Sequence, residues 1–128
     1  MLNLHSQLRV FLCTTPTDMR KSFDGLSGLI EQVLEQPPLS GDLFLFINRR
    51  RDRLKIMAWS GDGFWIWYKR LEAGTFQVPS HPADAVELDM AELSMILGGI
   101  DLGSIRRRKR FRRVAKMDDS ISNKAGRF

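Results

Sequence analysis

A chain of 128 residues, 43% hydrophobic and 27% charged, is sized for one compact domain with a real core. Its single cysteine, Cys13, excludes a disulfide framework and a thiolate metal site, and its longest apolar runs are of strand length, so neither a signal peptide nor a membrane span is expected. The net charge of +5 is unevenly spread: residues 103–128 hold ten Lys/Arg against two Asp, residues 1–102 ten against thirteen acidic residues, a layout that points to a polyanion, nucleic acid ahead of a membrane surface.

Residues 8–13 carry Val10, Phe11 and Leu12 and read as a first strand. Pro16 argues against its continuation. Thr17 or Asp18 is placed to cap a helix starting near Met19, in which Met19, Phe23, Leu26, Ile30 and Val33 recur at intervals of three and four. Gly25 and Gly28 lie inside that helix at a cost of about 1 kcal/mol each relative to Ala. Close approach of helix to sheet is the expected compensation. Pro37-Pro38 ends the helix. Arg20 and Lys21 stand in its first turn, where they are either solvated surface residues or partners of the helix entrance in gripping a phosphate.

Residues 43–47 form a short apolar run between Ser40-Gly41 and Asn48. Residues 54–59 and 64–69 then flank Ser60-Gly61-Asp62-Gly63, a strong hairpin signal. Period-two alternation puts Leu54, Ile56, Ala58, Trp65 and Trp67 on one face, which is a core face. The other face mixes Arg53, Lys55 and Arg70 with Met57, Trp59, Phe64, Ile66 and Tyr68, and its cations cluster beside the connection Asn48-Arg49-Arg50-Arg51-Asp52. Residues 75–78 read as a further strand at the sheet edge. His81, between Ser80 and Pro82, is a surface loop residue. Asp89 with Glu92 resembles a capping box for a second helix over residues 90–97, which Gly98-Gly99 ends through a left-handed cap. Eight cations within residues 106–116 form a block of like charge suited to holding phosphates without reading bases.

The expected fold is α+β: an antiparallel β-meander of about four to five strands packed against one long helix, with a short second helix. Residues 1–102 form this single domain and residues 103–128 a basic tail. No cofactor is implied.

The run Thr17-Asp18-Met19-Arg20-Lys21-Ser22-Phe23-Asp24-Gly25-Leu26 resembles a motif of the Orf2-like accessory proteins, called TnpB, of the insertion-sequence-66 class of bacterial mobile elements. The likeness continues through Ser40-Gly41-Asp42-Leu43-Phe44-Leu45-Phe46, Arg49-Arg50-Arg51-Asp52-Arg53-Leu54-Lys55, Trp59-Ser60-Gly61-Asp62-Gly63 and Lys69-Arg70-Leu71-Glu72-Ala73-Gly74-Thr75-Phe76. Two positions depart from the pattern: Ser60 stands where the family usually has Asp, and Val78 where it often has Trp. With neither a signal peptide nor a membrane span expected, the default location is cytoplasmic; the resemblance implies a protein encoded beside a separate transposase and needed for transposition. It carries no nuclease activity over from the longer RNA-guided proteins that share the TnpB name.

Three functions follow as expectations. The first is a non-catalytic accessory protein that binds DNA phosphates at transposon ends, through Arg20, Lys21, Arg49, Arg50, Arg51, Arg53, Lys55, Lys69 and Arg70, with Trp59 and Tyr68 for stacking on exposed bases. The tail cations Arg106, Arg107, Arg108, Lys109, Arg110, Arg112 and Arg113 would act as a clamp. The second is a protein adaptor that docks its mixed face on the transposase. The third, a metal-dependent nuclease, would need Asp18, Asp24, Asp42, Asp52 and Asp62 to converge, whereas they read more simply as cap, helix-surface and turn residues.

Overall fold

The computed structural model describes residues 8–98. Strand β1 (Val10–Cys13) is followed by helix α1 (Phe23–Gln32), a single 3-10 turn (Pro38–Ser40) and strands β2 (Leu43–Ile47), β3 (Arg53–Trp59) and β4 (Phe64–Arg70). Strand β5 (Ala85–Leu88) and helix α2 (Met90–Gly98) complete the order. The five strands form one sheet in the order β4-β3-β2-β1-β5.

The sheet is mixed, which corrects the expectation of a purely antiparallel meander. β1 and β2 run parallel with Phe11 opposite Phe44, and the remaining neighbours are antiparallel. Parallel neighbours need a crossover, and α1 supplies it, so the first half of the chain is a β-α-β unit. The β3–β4 hairpin pairs Trp59 with Phe64, and Ser60 N–H donates to Gly63 O at 2.9 Å. The loop is therefore Gly61-Asp62, with Gly61 at φ 101° where glycine alone is relaxed.

Both faces of the sheet are covered. Val10, Leu12, Leu45, Leu54, Ile56 and Ala58 pack under α2 residues Leu93, Ile96 and Leu97, with Trp65 and Trp67 beside them, as the alternation predicts. Phe11, Cys13, Phe44, Phe46 and Met57 pack under Leu26, Ile30 and Leu34 of α1 and its exit, with Phe64 and Ile66 beside them. Half of the mixed face is thus a second core face. It is not the open docking surface the adaptor reading placed there.

The helix expected from Met19 is shorter, ten residues from Phe23, with Ser22 as N-cap and no side-chain cap. Two causes delay its start. Asp18 accepts the N–H of Arg20 at 2.9 Å and folds residues 18–20 into a turn. Lys55 Nζ donates to the carbonyls of Met19 (2.8 Å) and Lys21 (2.7 Å), which faces those carbonyls toward the sheet instead of along a helix axis. At the other end Glu35 adopts φ 55° and Gln36 N–H closes on Ile30 O at 3.0 Å, ahead of Pro37. A Cβ on Gly25 would meet Lys21 Cβ at 3.2 Å, while Gly28 has nothing within 4 Å. Close approach therefore holds at Gly25 against the chain's own turn, and not against the sheet.

Residues 75–78 form no strand. Phe76 is fully buried and its N–H donates to Arg51 O at 2.7 Å, so this segment packs across one face instead of joining the edge. The edge is taken by β5, paired to β1 with Phe11 opposite Glu87. α2 starts with the expected reciprocal capping box: Glu92 N–H donates to Asp89 Oδ1 at 2.7 Å and Asp89 N–H to Glu92 Oε1 at 2.9 Å. The expected Gly98-Gly99 cap lies partly on residue 99, outside the described residues, and helix α2 is described through Gly98. No helix among the described residues is long and apolar enough to cross a membrane.

Candidate nucleic-acid interface

The β2–β3 connection is built around one amide. Asn48 Oδ1 accepts the N–H groups of Asp52 (3.1 Å) and Arg53 (3.0 Å), and Asn48 Nδ2 donates to Asp52 Oδ1 at 2.7 Å. The backbone closes the same loop, with Asn48 N–H on Arg53 O and Arg51 N–H on Asn48 O. Arg51 takes the left-handed conformation, φ 60°, without being glycine. From outside, Leu71 N–H donates to Asp52 O at 2.8 Å and Phe76 N–H to Arg51 O. The loop is fixed at its neck and along one flank, and Arg49, Arg50 and Arg51 are exposed on it.

Asp52 is the carboxylate nearest in sequence to these arginines, and its partner is Asn48. That amide, with the charges of Arg50 and Arg53 adding to it, holds the Asp52 carboxyl below its usual range. Arg49, Arg50 and Arg51 join no ion pair among the described residues. Their charge is displayed outward.

The other expected contacts divide. Arg53 is half-buried, with Nη1 donating to Tyr68 Oη at 3.3 Å, and it lies directly opposite Arg70. Glu72 relieves that like-charge pairing by taking Arg70 Nε at 2.9 Å. Lys69 is half-buried on the same strand end. Arg20 is exposed but clasped to Asp18 at 2.6 Å; its guanidinium pulls the Asp18 carboxyl down to about 2, and Lys21 is exposed beside it. Lys55 does not belong to the accessible set. It is 7% exposed, with its ammonium on two backbone carbonyls and 4.8 Å from the Tyr68 ring centroid. Its burial follows from its place beneath the turn that leads into α1.

The aromatics also separate. Tyr68 is exposed at the basic end of the sheet, whereas Trp59 meets Phe64 edge-on at the hairpin turn, the opposite end of β3. Trp59 is therefore remote from the arginine loop. The tail cations Arg106 through Arg113 lie outside the described residues.

A cleft of about 240 Å³ opens beside the loop, at the C-terminal ends of the parallel strands. Leu12, Pro16, Ile47 and Val78 give it apolar walls, and Arg49 and Arg51 stand at it. Open sheets with parallel strands carry ligands at this end. Residue-type reasoning singled out the arginines but missed Asn48, the residue that shapes their backbone. An Asn immediately after a strand and four residues before an Asp was the available signal.

The five aspartates do not converge. Asp42 is buried and accepts Arg9 N–H and Ser40 Oγ, Asp18 holds Arg20, Asp24 is exposed in the first turn of α1, Asp52 holds Asn48, and Asp62 sits in the hairpin turn near Ser60. Ser60 Oγ also reaches Gly63 O at 3.1 Å, so the serine serves the turn. Among the described residues no group of three His, Cys, Asp or Glu is placed to hold a metal ion.

Comparison with known proteins matches residues 8–107 to the family described as IS66 Orf2 like protein. Two relatives come from Sinorhizobium fredii (strain NBRC 101917 / NGR234). The protein y4hO is 39% identical over 101 residues, covering 79% of this chain and 88% of the relative. The protein y4jC is 34% identical over 101 residues, covering 79% and 86%. Both carry the description "uncharacterized". No solved structure matches. With a match spanning the whole described fold, the chain belongs to the IS66 Orf2-like family, whose role is accessory to transposition.

Proposed function

We propose that this protein is a non-catalytic DNA-holding factor for transposition, gripping the phosphates of an element's ends with the Arg49-Arg50-Arg51 loop. The observation that supports this most directly is the loop itself: three consecutive exposed arginines on a clasped backbone, in no ion pair among the described residues. Folded proteins usually offset such a concentration of charge with neighbouring carboxylates. Here the carboxylate nearest in sequence, Asp52, is tied to the Asn48 amide and forms no ion pair with the arginines, although it feels the charge of Arg50. Phosphate oxygens along a DNA strand supply the missing counter-charge, and releasing their condensed cations drives binding. Arg53 and Arg70 extend the positive surface along the sheet end, and Tyr68 offers a ring there. The tail cations add reach in this reading.

The test is a salt titration of binding to end-derived duplex by fluorescence anisotropy. Changing Arg49, Arg50 and Arg51 together to Ala should weaken binding at least tenfold at moderate salt and lower the slope of log K against log salt by about 2 to 3. An unaltered slope would remove the loop from the interface.

A second reading, an adaptor for the transposase, draws on the exposed apolar side chains Phe23, Leu39 and Tyr68. A pull-down from nuclease-treated lysate separates the two. Recovery of the transposase by the triple-alanine protein at wild-type yield supports the adaptor.

A further inference from the structure

Among the described residues the backbone edge of the sheet at β4 is open, and its chemistry fits a second copy of itself. Asn48 N–H bonds to Arg53 O, so β3 turns residues 53, 55 and 57 toward β2 and residues 54, 56 and 58 toward β4. Ser60 N–H on Gly63 O gives the same phase from the hairpin: Trp65, Trp67 and Lys69 exchange ladder bonds with β3. Phe64, Ile66, Tyr68 and Arg70 therefore aim their N–H and C=O groups outward. No described residue hydrogen-bonds to the backbone of these four. After Arg70 the chain turns back over the sheet, with Leu71 bonded to Asp52, and leaves this edge uncovered among the described residues.

Edge strands of seven residues are commonly protected by proline, a bulge or inward charge. β4 has no proline, its register runs without a bulge from Arg53/Arg70 to Trp59/Phe64, and its cations sit at one end only. That asymmetry matters. In an antiparallel pair of β4 strands centred on Trp67, all seven residues are matched: Phe64 faces Arg70 of the second copy, Ile66 faces Tyr68, Trp65 faces Lys69, and Trp67 faces Trp67. Each cation meets an aromatic ring, and no like charges oppose one another.

We propose that two copies of this chain join through their β4 edges about a two-fold axis at Trp67, making one continuous sheet of ten strands. The inference stands apart from DNA binding. It has a geometric corollary: strand direction reverses across the axis, so the two Arg49–Arg51 loops stand at opposite ends of the joined sheet, as two separate basic sites.

Sedimentation of the full chain at tens of micromolar should show a dimer. Tyr68→Pro removes one outward N–H per copy at an edge position that tolerates proline, and should weaken the dimer about tenfold or more while the circular dichroism spectrum is kept. In a Cys13→Ser background, Trp67→Cys should form an intermolecular disulfide under mild oxidant, because paired residues at the axis bring their Cβ atoms within reach, whereas Glu72→Cys beyond the strand should not. A wild-type monomer overturns the proposal, as does a dimer insensitive to Tyr68→Pro. Equal crosslinking at positions 67 and 72 does so too, and the wild-type measurement decides even if a variant fails to fold.

Discussion

Asp18 and Arg20 show how two residues in an exposed turn can fix a motif that composition leaves ambiguous. Sequence reasoning assigned Asp18 to a helix cap, a role its side chain could fill, but the carboxylate instead takes the Arg20 guanidinium and backbone N–H. Thr17, the other candidate cap, is buried, and its N–H ties the turn to Ile47 O at the end of β2. Capping potential is local and legible; which of several donors a side chain meets depends on the sheet beneath it. The hydrogen bonds from Arg20 lower the Asp18 carboxyl to about 2, against an ordinary value near 4. Because the folded value is the depressed one, whatever the clasp contributes is complete above about pH 4 and is lost as pH falls through about 2. A carbon-detected NMR titration of Asp18 should therefore show a midpoint near 2 in the wild type and a shift toward the ordinary value in Arg20→Ala. A wild-type midpoint near 4 would mean that solvent, not Arg20, surrounds the carboxylate.

At the scale of elements, the β2–β3 connection and strand β5 mark what could and could not be read. β2 to β4 are legible to within one residue, since alternation and the Gly-Asp turn act through nearest neighbours. β5 was missed. Its four residues include Glu87, an edge charge that pairs with Arg9 at 2.9 Å, seventy-eight positions away. Residues 75–78 have better strand composition yet pack face-on, because the hydrogen bond from Phe76 to Arg51 occupies them. Competition between two short apolar runs for one edge is settled by tertiary contacts. The arginine loop was found by its charge, but its shape was not, as Asn48 acts through three hydrogen bonds across five positions. Asn48→Ala should cost about 1 to 2 kcal/mol in urea unfolding. It should also weaken DNA binding severalfold with every arginine still present. Stability lost without any change in affinity would show that the loop need not be held for phosphates to bind.

For the molecule as a whole, the continuous apolar runs of β1 and β2 were a signal that both sheet faces are covered, as in parallel β-α-β units. The lone helical stripe between them pointed the same way, yet the hairpins downstream favoured a meander. Lys55 holds the two layers together. Its ammonium crosses from the sheet to the carbonyls of Met19 and Lys21, so the chain segment leading into α1 is fastened to β3 by a buried cation. Lys55→Met keeps the length and apolar stem but leaves those carbonyls without their donor. It should destabilise the fold by about 1 to 3 kcal/mol, lowering the urea midpoint, and leave DNA affinity unchanged below the transition. A midpoint equal to wild type would assign the layer contact to apolar packing alone.

β1 lies between β2 and β5, with partners some thirty and some seventy-five positions downstream. Of the five strands, a chain emerging from the ribosome makes this interior one first and completes its pairing last. Until residues 85–88 and the helix after them have been synthesised, the sheet ends in an open apolar ribbon, so two short late elements decide whether the nascent protein is sealed or sticky.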